Sequence, residues 1–329
     1  MRSSARDTPD PPLIAIGASA GGIEALRQIL PTLPYQLPAA VAIVVHRPPV
    51  QEDERLAAVL SVGSPLPVAT ARDGDAITAG RAYICPAGVH LAVEPGAFRL
   101  GTQAKENGSR PAIDVLFRTA AHTFGRRVAG VVLSGMLDDG TAGLAAIKVR
   151  GGHTVVQDPD DAAFADMPRN AMESVAVDAV LPAARIGAAL VAFAHRAAGA
   201  QNGAGTHAEG TSAPSLFSCP DCGGVLSEID ADGVVRFRCR VGHAYSPRTL
   251  FTMQEEGLEE ALWAALRALV ERTDMSERLA RRSRDRGFPA AARRFEEQAA
   301  DARRRAETVR AAMARPRQAV EAAEAAGAS

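Results

Sequence analysis

A serine, a histidine and an aspartate each follow a short apolar run in this chain. Ser19 comes after Leu13-Ile14-Ala15-Ile16, His46 after Val41-Ala42-Ile43-Val44-Val45, and Asp139 shortly after Val131-Val132-Leu133. A hydrolytic serine needs a base to take its proton and a carboxylate to orient that base, and these are those side chains. Gly17-Ala18-Ser19-Ala20-Gly21 fits G-x-S-x-G between a strand and a helix, where glycines permit the sharp turn and the helix start offers N–H groups to an oxyanion. A phosphate-binding turn is the plainer alternative, although Ser19 breaks the middle of G-x-G-x-x-G and no lysine follows as in a P-loop. Taken singly, His46 is a structural residue at a strand end, and Asp138-Asp139-Gly140 is a helix N-cap. Their appearance together with Ser19 favours a triad. Its order, Ser…His…Asp, is not the Ser…Asp…His of α/β-hydrolases.

The elements that must position these residues alternate. Apolar β-branched runs at 13–16, 40–45, 128–134, 153–157 and 176–181 read as buried parallel strands. Helical patterns at 23–30, 52–60, 111–121, 141–149, 167–174 and 183–198 lie between or after them, and a strand and hairpin-like segment at 83–100 turns at Glu94-Pro95-Gly96. Such alternation predicts an α/β fold, a doubly wound, mostly parallel sheet covered by helices on both faces. Ligands of such sheets bind beyond the carboxyl ends of the strands, where all three candidates fall.

Composition sets the bounds. The chain has 329 residues, 47% of them apolar, with a net charge of −1. This balance disfavours bulk nucleic acid or an anionic membrane as partner. No signal-peptide core and no run of 18 charge-free apolar residues is visible, so no membrane insertion and a cytoplasmic location are expected. The expected organisation is a disordered 1–12, a catalytic domain at 13–198, a flexible Gly/Ala/Ser/Thr linker at 199–215, a small cysteine-bearing unit at 216–250 and a helical tail at 251–329. In the small unit, Cys219-x2-Cys222, sixteen intervening residues and Cys239-x3-His243 give structural-zinc spacing, against reduced loop cysteines or a redox pair. Cys85 reads as a buried apolar residue. The tail repeats Leu258, Leu262, Trp263, Leu266 and Leu269 at helical spacing and breaks at Gly287-Phe288-Pro289, which predicts a helical hairpin. Its many arginines read as a solvated face, with docking of a regulatory protein as the functional alternative.

Residues 13–195 resemble the catalytic domain of the chemotaxis protein-glutamate methylesterases, CheB. The resemblance rests on Ile16–Gly22, Val45-His46-Arg47-Pro48-Pro49, Ala82–His90, Arg110–Phe117, Gly130–Gly140 and Phe164–Pro168, six motifs in the family's order. It implies a Rossmann-like methylesterase fold, with Ser19 as nucleophile, His46 as general base and Asp139, rather than the neighbouring Asp138, as orienting carboxylate. It also implies an oxyanion hole from the backbone N–H groups of Ala20 and Met136, and no cofactor for catalysis. The implied substrate is a glutamate γ-methyl ester on the cytoplasmic helices of chemoreceptors, with receptor glutamine deamidation as related chemistry. Arg110 and His90 are expected to line the crevice or to serve as surface or capping residues. Two departures stand out. Only about a dozen residues precede the first strand, so the family's usual receiver domain, and phosphorylation control through it, are not expected within this chain. Ala20 stands where the family commonly has threonine. The competing reading is a catalytically idle scaffold that binds receptors or partners.

Overall fold

The structure, a computed structural model, describes residues 10–47, 53–200 and 211–314. Pro48 and Pro49, residues 201–210 of the expected linker, and both chain ends lie outside the described residues. Within the N-terminal stretch expected to be disordered, Asp10 is anchored: its carboxylate accepts the Gly96 N–H at 2.8 Å and its carbonyl accepts Arg127 Nη1 at 2.5 Å.

The chain runs through β1 (Leu13–Ala18), α1 (Gly22–Ile29), β2 (Ala40–Val45), α2 (Asp53–Ser61), β3 (Val68–Thr70), β4 (Ala82–Ile84), β5 (His90–Glu94) and β6 (Ala97–Gly101). It continues through α3 (Ile113–Phe124), β7 (Val128–Val132), α4 (Thr141–Val149), β8 (His153–Gln157), α5 (Asp166–Ser174), β9 (Ala179–Leu181) and α6 (Ala183–Ala198). Seven strands form one sheet in the order β3-β4-β2-β1-β7-β8-β9, and every pair in it is parallel. The strand and hairpin-like segment expected at 83–100 is β4, which joins the sheet, followed by β5 and β6, which pair with each other. The edge strand β3 carries no apolar run. Three half-buried residues suffice because β4 supplies the pairing.

Each central strand is buried on both faces. On β1, Ile14, Ile16 and Ala18 pack with Leu26, Ile29, Ile186 and Leu190 of α1 and α6. Leu13 and Ala15 pack on the opposite side with Leu116 and Phe117 of α3 and with Leu144 and Ile147 of α4. That explains why the strands read as continuous apolar runs rather than alternating ones. The chain leaves β1 toward β2 and returns to β7 on its other side, so the order reverses at β1. The crevice of a doubly wound sheet forms at such a reversal.

The segment expected to end as a linker at 215 becomes strand at Thr211. The ladder to its neighbour overrides a small polar composition that gives no periodic signal. β10 (Thr211–Ser218), β11 (Val225–Ala231), β12 (Val234–Cys239) and β13 (Ala244–Tyr245) form a four-stranded antiparallel sheet. Asp232 and Gly233, with φ of 56° and 77°, make the two-residue turn between β11 and β12. Residues up to Leu250 form one compact unit, and those from Phe251 form a second. α7 (Pro247–Asp285) starts four residues before the expected tail, and α8 (Pro289–Met313) follows the Gly287 turn. Within the second unit Ala280, Ala292, Ala299, Ala302 and Ala306 are buried between the helices. Arg303–Glu277 and Arg284–Glu296 ion pairs tie one helix to the other. No helix among the described residues is long and apolar enough to cross a membrane.

α3 and α4 meet at Gly143, where an added Cβ would lie 2.4 Å from Phe117 Cβ and 3.2 Å from the Asp114 Cα, neither of which can swing aside. Gly143→Ala is expected to destabilise the fold by about 1–3 kcal/mol. A lowered urea midpoint with unchanged slope would show it.

Candidate active site

Ala18, the last residue of β1, pairs with Val45, the last of β2. Ser19 and His46 are therefore the next residues on adjacent strands, about 4.8 Å apart in the pairing direction. The ladder runs one step further, with the His46 N–H donating to the Ala18 carbonyl at 3.0 Å. On the other flank the Leu133 N–H donates to Gly17 at 2.9 Å and the Ser19 N–H to Ser134 at 3.0 Å. Ser19 is thus held between the ends of β2 and β7. The Ser134 hydroxyl donates to the Ala20 carbonyl at 2.7 Å and accepts the Phe164 N–H at 2.9 Å, which locks the turn. Glycine is required beside the serine: a Cβ on Gly135 would lie 2.7 Å from Ser19 Cβ, and one on Gly22 would lie 2.5 Å from Ala18 Cβ.

His46 Nε2 hydrogen-bonds Asp139 Oδ2 at 2.7 Å, with the histidine side chain 17% and the aspartate 3% exposed. The same oxygen accepts the Ile113 N–H at 2.7 Å. Oδ1 accepts the Asp114 N–H at 3.2 Å and Asn107 Nδ2 at 3.1 Å. Ile113 and Asp114 open α3, so the carboxylate sits on the positive end of a helix. Burial pushes the Asp139 carboxyl up, but the His46 hydrogen bond and charge, the Ile113 N–H and the Asn107 amide outweigh it and leave it below its usual range. Asp114 goes the other way, raised to about 7 by burial and by the Asp139 charge, against the pull of Arg118 and the Gly143 N–H. Below about pH 7 Asp114 carries the proton while Asp139 keeps the charge.

Asp138 faces elsewhere. Its Oδ1 accepts the hydroxyls of Ser246 at 2.8 Å and Thr249 at 2.7 Å. Burial pushes its carboxyl up while those two hydroxyls restrain it. Leu137, at φ 59°, turns the loop between Met136 and Asp138, and Asn170 Nδ2 donates to its carbonyl at 2.6 Å. Among the described residues the N–H groups of Ala20 and Met136 donate to no other group, which leaves both available to a substrate.

A cavity of about 430 Å³ opens beside His46, bordered by Arg47, Lys105 and Arg110. Arg110 is therefore at the crevice, its Nη1 braced by the Thr102 and Gln103 carbonyls at 3.0 and 2.9 Å. His90 is not. It is buried, Nε2 meets the Ala104 carbonyl at 3.1 Å, and Nδ1 accepts the Ala112 N–H at 3.1 Å. A larger hollow of about 720 Å³ between Glu54 and Tyr83 lies at the β3 edge, away from these groups.

The model of the family described as CheB methylesterase matches residues 14–190. The chain belongs to the CheB methylesterase family. It is 41% identical over 211 residues to a protein-glutamate methylesterase/protein-glutamine glutaminase of Pseudomonas aeruginosa, covering 60% of this chain and 60% of that protein. A putative enzyme of the same name from Leptospira interrogans is 40% identical over 174 residues, covering 53% of this chain and 90% of the relative. The crystal structure of the Thermotoga maritima CheB methylesterase catalytic domain superposes with a TM-score of 0.54 at 34% identity, covering 56% of this chain and 98% of that one.

Beyond the CheB match, Cys219, Cys222, Cys239 and His243 bring their ligand atoms within 4.8 Å of one another, a group that could hold a metal ion. Tetrahedral zinc with bonds of about 2.3 Å to sulfur and 2.0 Å to nitrogen needs edges of about 3.8 Å and 3.5 Å. Cys222 Sγ to Cys239 Sγ is 3.7 Å, and His243 Nδ1 is 3.6 and 3.5 Å from Cys219 and Cys239 Sγ. Each cysteine turn carries a left-handed glycine: Gly223, whose N–H bonds Cys219 O, and Gly242, whose N–H bonds Cys239 O. Burial raises the Cys239 thiol, but the Gly242 N–H, Cys222 and His243 bring it to about 7, close to the thiolate a metal requires.

Asn107, Asp114, Ser246 and Thr249 surround Asp138 and Asp139 but follow no apolar run, so the sequence pattern does not single them out. Signals existed for two: Asn107-Gly108 is a left-handed turn pair, and Asp114 is a charge on the buried face of α3. Asp114 yields a test. Folded it holds its proton to about pH 7, unfolded only to about 3.9. Between these values the folded chain binds more protons, so this site's contribution to stability falls as pH rises. The stability of wild type relative to Asp114→Asn is expected to fall from pH 4 to 7 and then level off, as urea unfolding at several pH values would measure.

Proposed function

We propose that the chain is a protein-glutamate methylesterase that hydrolyses glutamate γ-methyl esters on chemoreceptors, with glutamine deamidation as a side activity. The observation that carries this reading is the 2.7 Å pair of His46 Nε2 and Asp139 Oδ2 at the end of β2, beside Ser19 at the end of β1. Asp139 occupies Nε2, which leaves Nδ1 as the nitrogen for Ser19. The names of the Pseudomonas and Leptospira relatives point to the same activity.

In the proposed reaction His46 takes the Ser19 proton as the serine oxygen bonds to the ester carbonyl carbon. The N–H groups of Ala20 and Met136 receive the oxyanion. The C–O bond to the methoxy group breaks, His46 returns the proton, and methanol leaves an acyl-serine. Water, deprotonated by His46, attacks the acyl carbon and releases glutamate and free Ser19. With glutamine, ammonia leaves in place of methanol. Asp139, kept charged by its donors, stabilises the imidazolium in both halves. Arg47, Lys105 and Arg110 around the crevice suit an acidic helical segment of the kind that carries such glutamates. We assign the Cys219, Cys222, Cys239 and His243 group to structural zinc, because three thiolates and one imidazole are its usual donors. The second compact unit, with exposed Leu258 and Trp263, is assigned to contact with a regulatory protein.

The test is methanol release from a methylated chemoreceptor. Ser19→Ala is expected to abolish release above background, and Asp139→Asn to reduce it on the order of 10⁴-fold. Asp138→Asn, whose side chain meets Ser246 and Thr249 instead of His46, is expected to cost far less. Equal losses in the two aspartate variants would contradict the assignment, and release by Ser19→Ala would refute the serine mechanism.

A further inference from the structure

The cysteine-bearing sheet does not stand apart from the triad. His243, a ligand of the metal cluster, directly precedes β13, and Ser246 follows β13. The strand β13 grips the loop that holds Asn107: the Asn107 N–H donates to the Ala244 carbonyl at 2.7 Å, and the Ala244 N–H donates to Lys105 at 3.3 Å. The Ser246 N–H then donates to Asn107 Oδ1 at 2.8 Å. That bond fixes the amide. With Oδ1 taken, Nδ2 faces two carboxylates, Asp139 Oδ1 at 3.1 Å and Asp114 Oδ2 at 3.2 Å. A flipped amide would turn its oxygen onto the charged Asp139 carboxylate and its NH2 onto the Ser246 N–H, and both contacts would repel.

A second path runs through Asp138. This buried carboxylate, next in chain to Asp139, takes two hydroxyl bonds from Ser246 and Thr249. Ser246 also caps α7, its hydroxyl accepting the Thr249 N–H at 3.0 Å with Pro247 at the first helical position. Removing these donors would leave a buried charge short of partners in the loop that carries Asp139. The ligand cluster is linked to the same strand: the Tyr245 hydroxyl donates to Asp221 at 2.6 Å and lies 3.3 Å from Cys219 Sγ. The sheet has few buried side chains of its own, chiefly Leu226, Phe237 and Tyr245, so its four ligands must be drawn together for β13 to keep its place.

We propose that the metal cluster is a working part of the esterase centre: zinc on Cys219, Cys222, Cys239 and His243 fixes β13, and Ser246 and Asn107 pass that constraint to Asp139, so that metal occupancy sets the reactivity of Ser19. Ser246 and Asn107 are positioning residues, acting on Asp139 without touching substrate. This inference rests on the proposed serine mechanism, so its test reads Ser19 without needing the receptor. The full chain is labelled with a fluorophosphonate, and the rate constant is recorded separately from the final number of labels per chain. Metal content is measured on the same samples.

The zinc-loaded chain is expected to label to one per chain. Stripping the metal with a strong chelator should slow labelling by roughly 10- to 100-fold, the range for losing groups that orient a functional residue from behind, and added Zn²⁺ alone should restore it. Ser246→Ala should keep the metal and the labelling endpoint while lowering the rate constant. It should also speed hydrogen exchange at the Ile113 and Asp114 amides that donate to Asp139. Ser246→Thr should recover both. If stripping lowers the endpoint instead of the rate, the chain has unfolded and Ser246→Ala and Asn107→Leu decide. Wild-type labelling and exchange in both Ser246→Ala, which removes the hydroxyl path to Asp138, and Asn107→Leu, which removes the amide path to Asp139, would overturn the proposal. A zinc-loaded chain that takes no label would instead overturn the serine mechanism, and the exchange rates at Ile113 and Asp114 would still decide the coupling.

Discussion

A carboxylate kept ionised inside a protein must be met by donors from every side, and the site is organised around one such group, Asp139. Its two oxygens take His46, two helix-opening N–H groups and the Asn107 amide. Those partners come from three separate segments, the end of β2, the loop after β6 and the start of α3, and meet Asp139 in the loop after β7. None could be supplied locally. Leaving any of them out would cost more than a surface hydrogen bond, because the group is almost wholly removed from water. The need to bring these segments to one point explains the tight approaches around them. Gly17 lets Ile113 close on β1, and Gly143 lets α4 close on α3.

The second consequence is electrostatic. Asp114 lies beside Asp139 with little solvent, so the pair cannot both be charged cheaply. The donors are distributed unequally. Asp139 faces the imidazole and the helix start, whereas Asp114 has burial and the Asp139 charge against it, and the proton goes to Asp114. A neutral Asp114 still accepts the Gly143 N–H at 2.6 Å and so joins α3 to α4 without competing for His46. The same reasoning separates Asp138 from Asp139. They are adjacent in sequence, but their side chains are claimed by different partners, hydroxyls in one case and an imidazole in the other.

The sheet strands were legible in the sequence because burial on both faces writes itself as uninterrupted apolar runs, and Ser19, His46 and Asp139 could be placed because each follows such a run. β3 was not legible, since a three-residue edge strand is defined by its neighbour rather than by its own side chains. The strand at Thr211–Ser218 was hidden for the same reason behind a composition that resembles a linker. His90 was expected at the crevice as one alternative. A lone histidine gives no sign of whether its nitrogens are taken by backbone, and here both are. Asn107, Ser246 and Thr249 escaped notice because their importance is entirely tertiary: Ser246 meets Asp138 across 108 residues of chain. The Cys219, Cys222, Cys239 and His243 group was legible, since its spacing is local. Its link to Asn107 and Asp138 through β13 was not.

The proposed chemistry requires Ser19 to become covalently acylated. The most direct measurement is mass spectrometry of the chain acid-quenched within its first turnovers on a receptor peptide whose glutamate carries an activated aryl ester, because faster acylation lets the acyl-serine accumulate. The expected result is a mass increase equal to the peptide minus the phenol, mapped to Ser19. Release of the phenol with no adduct, or an adduct on another residue, would contradict it.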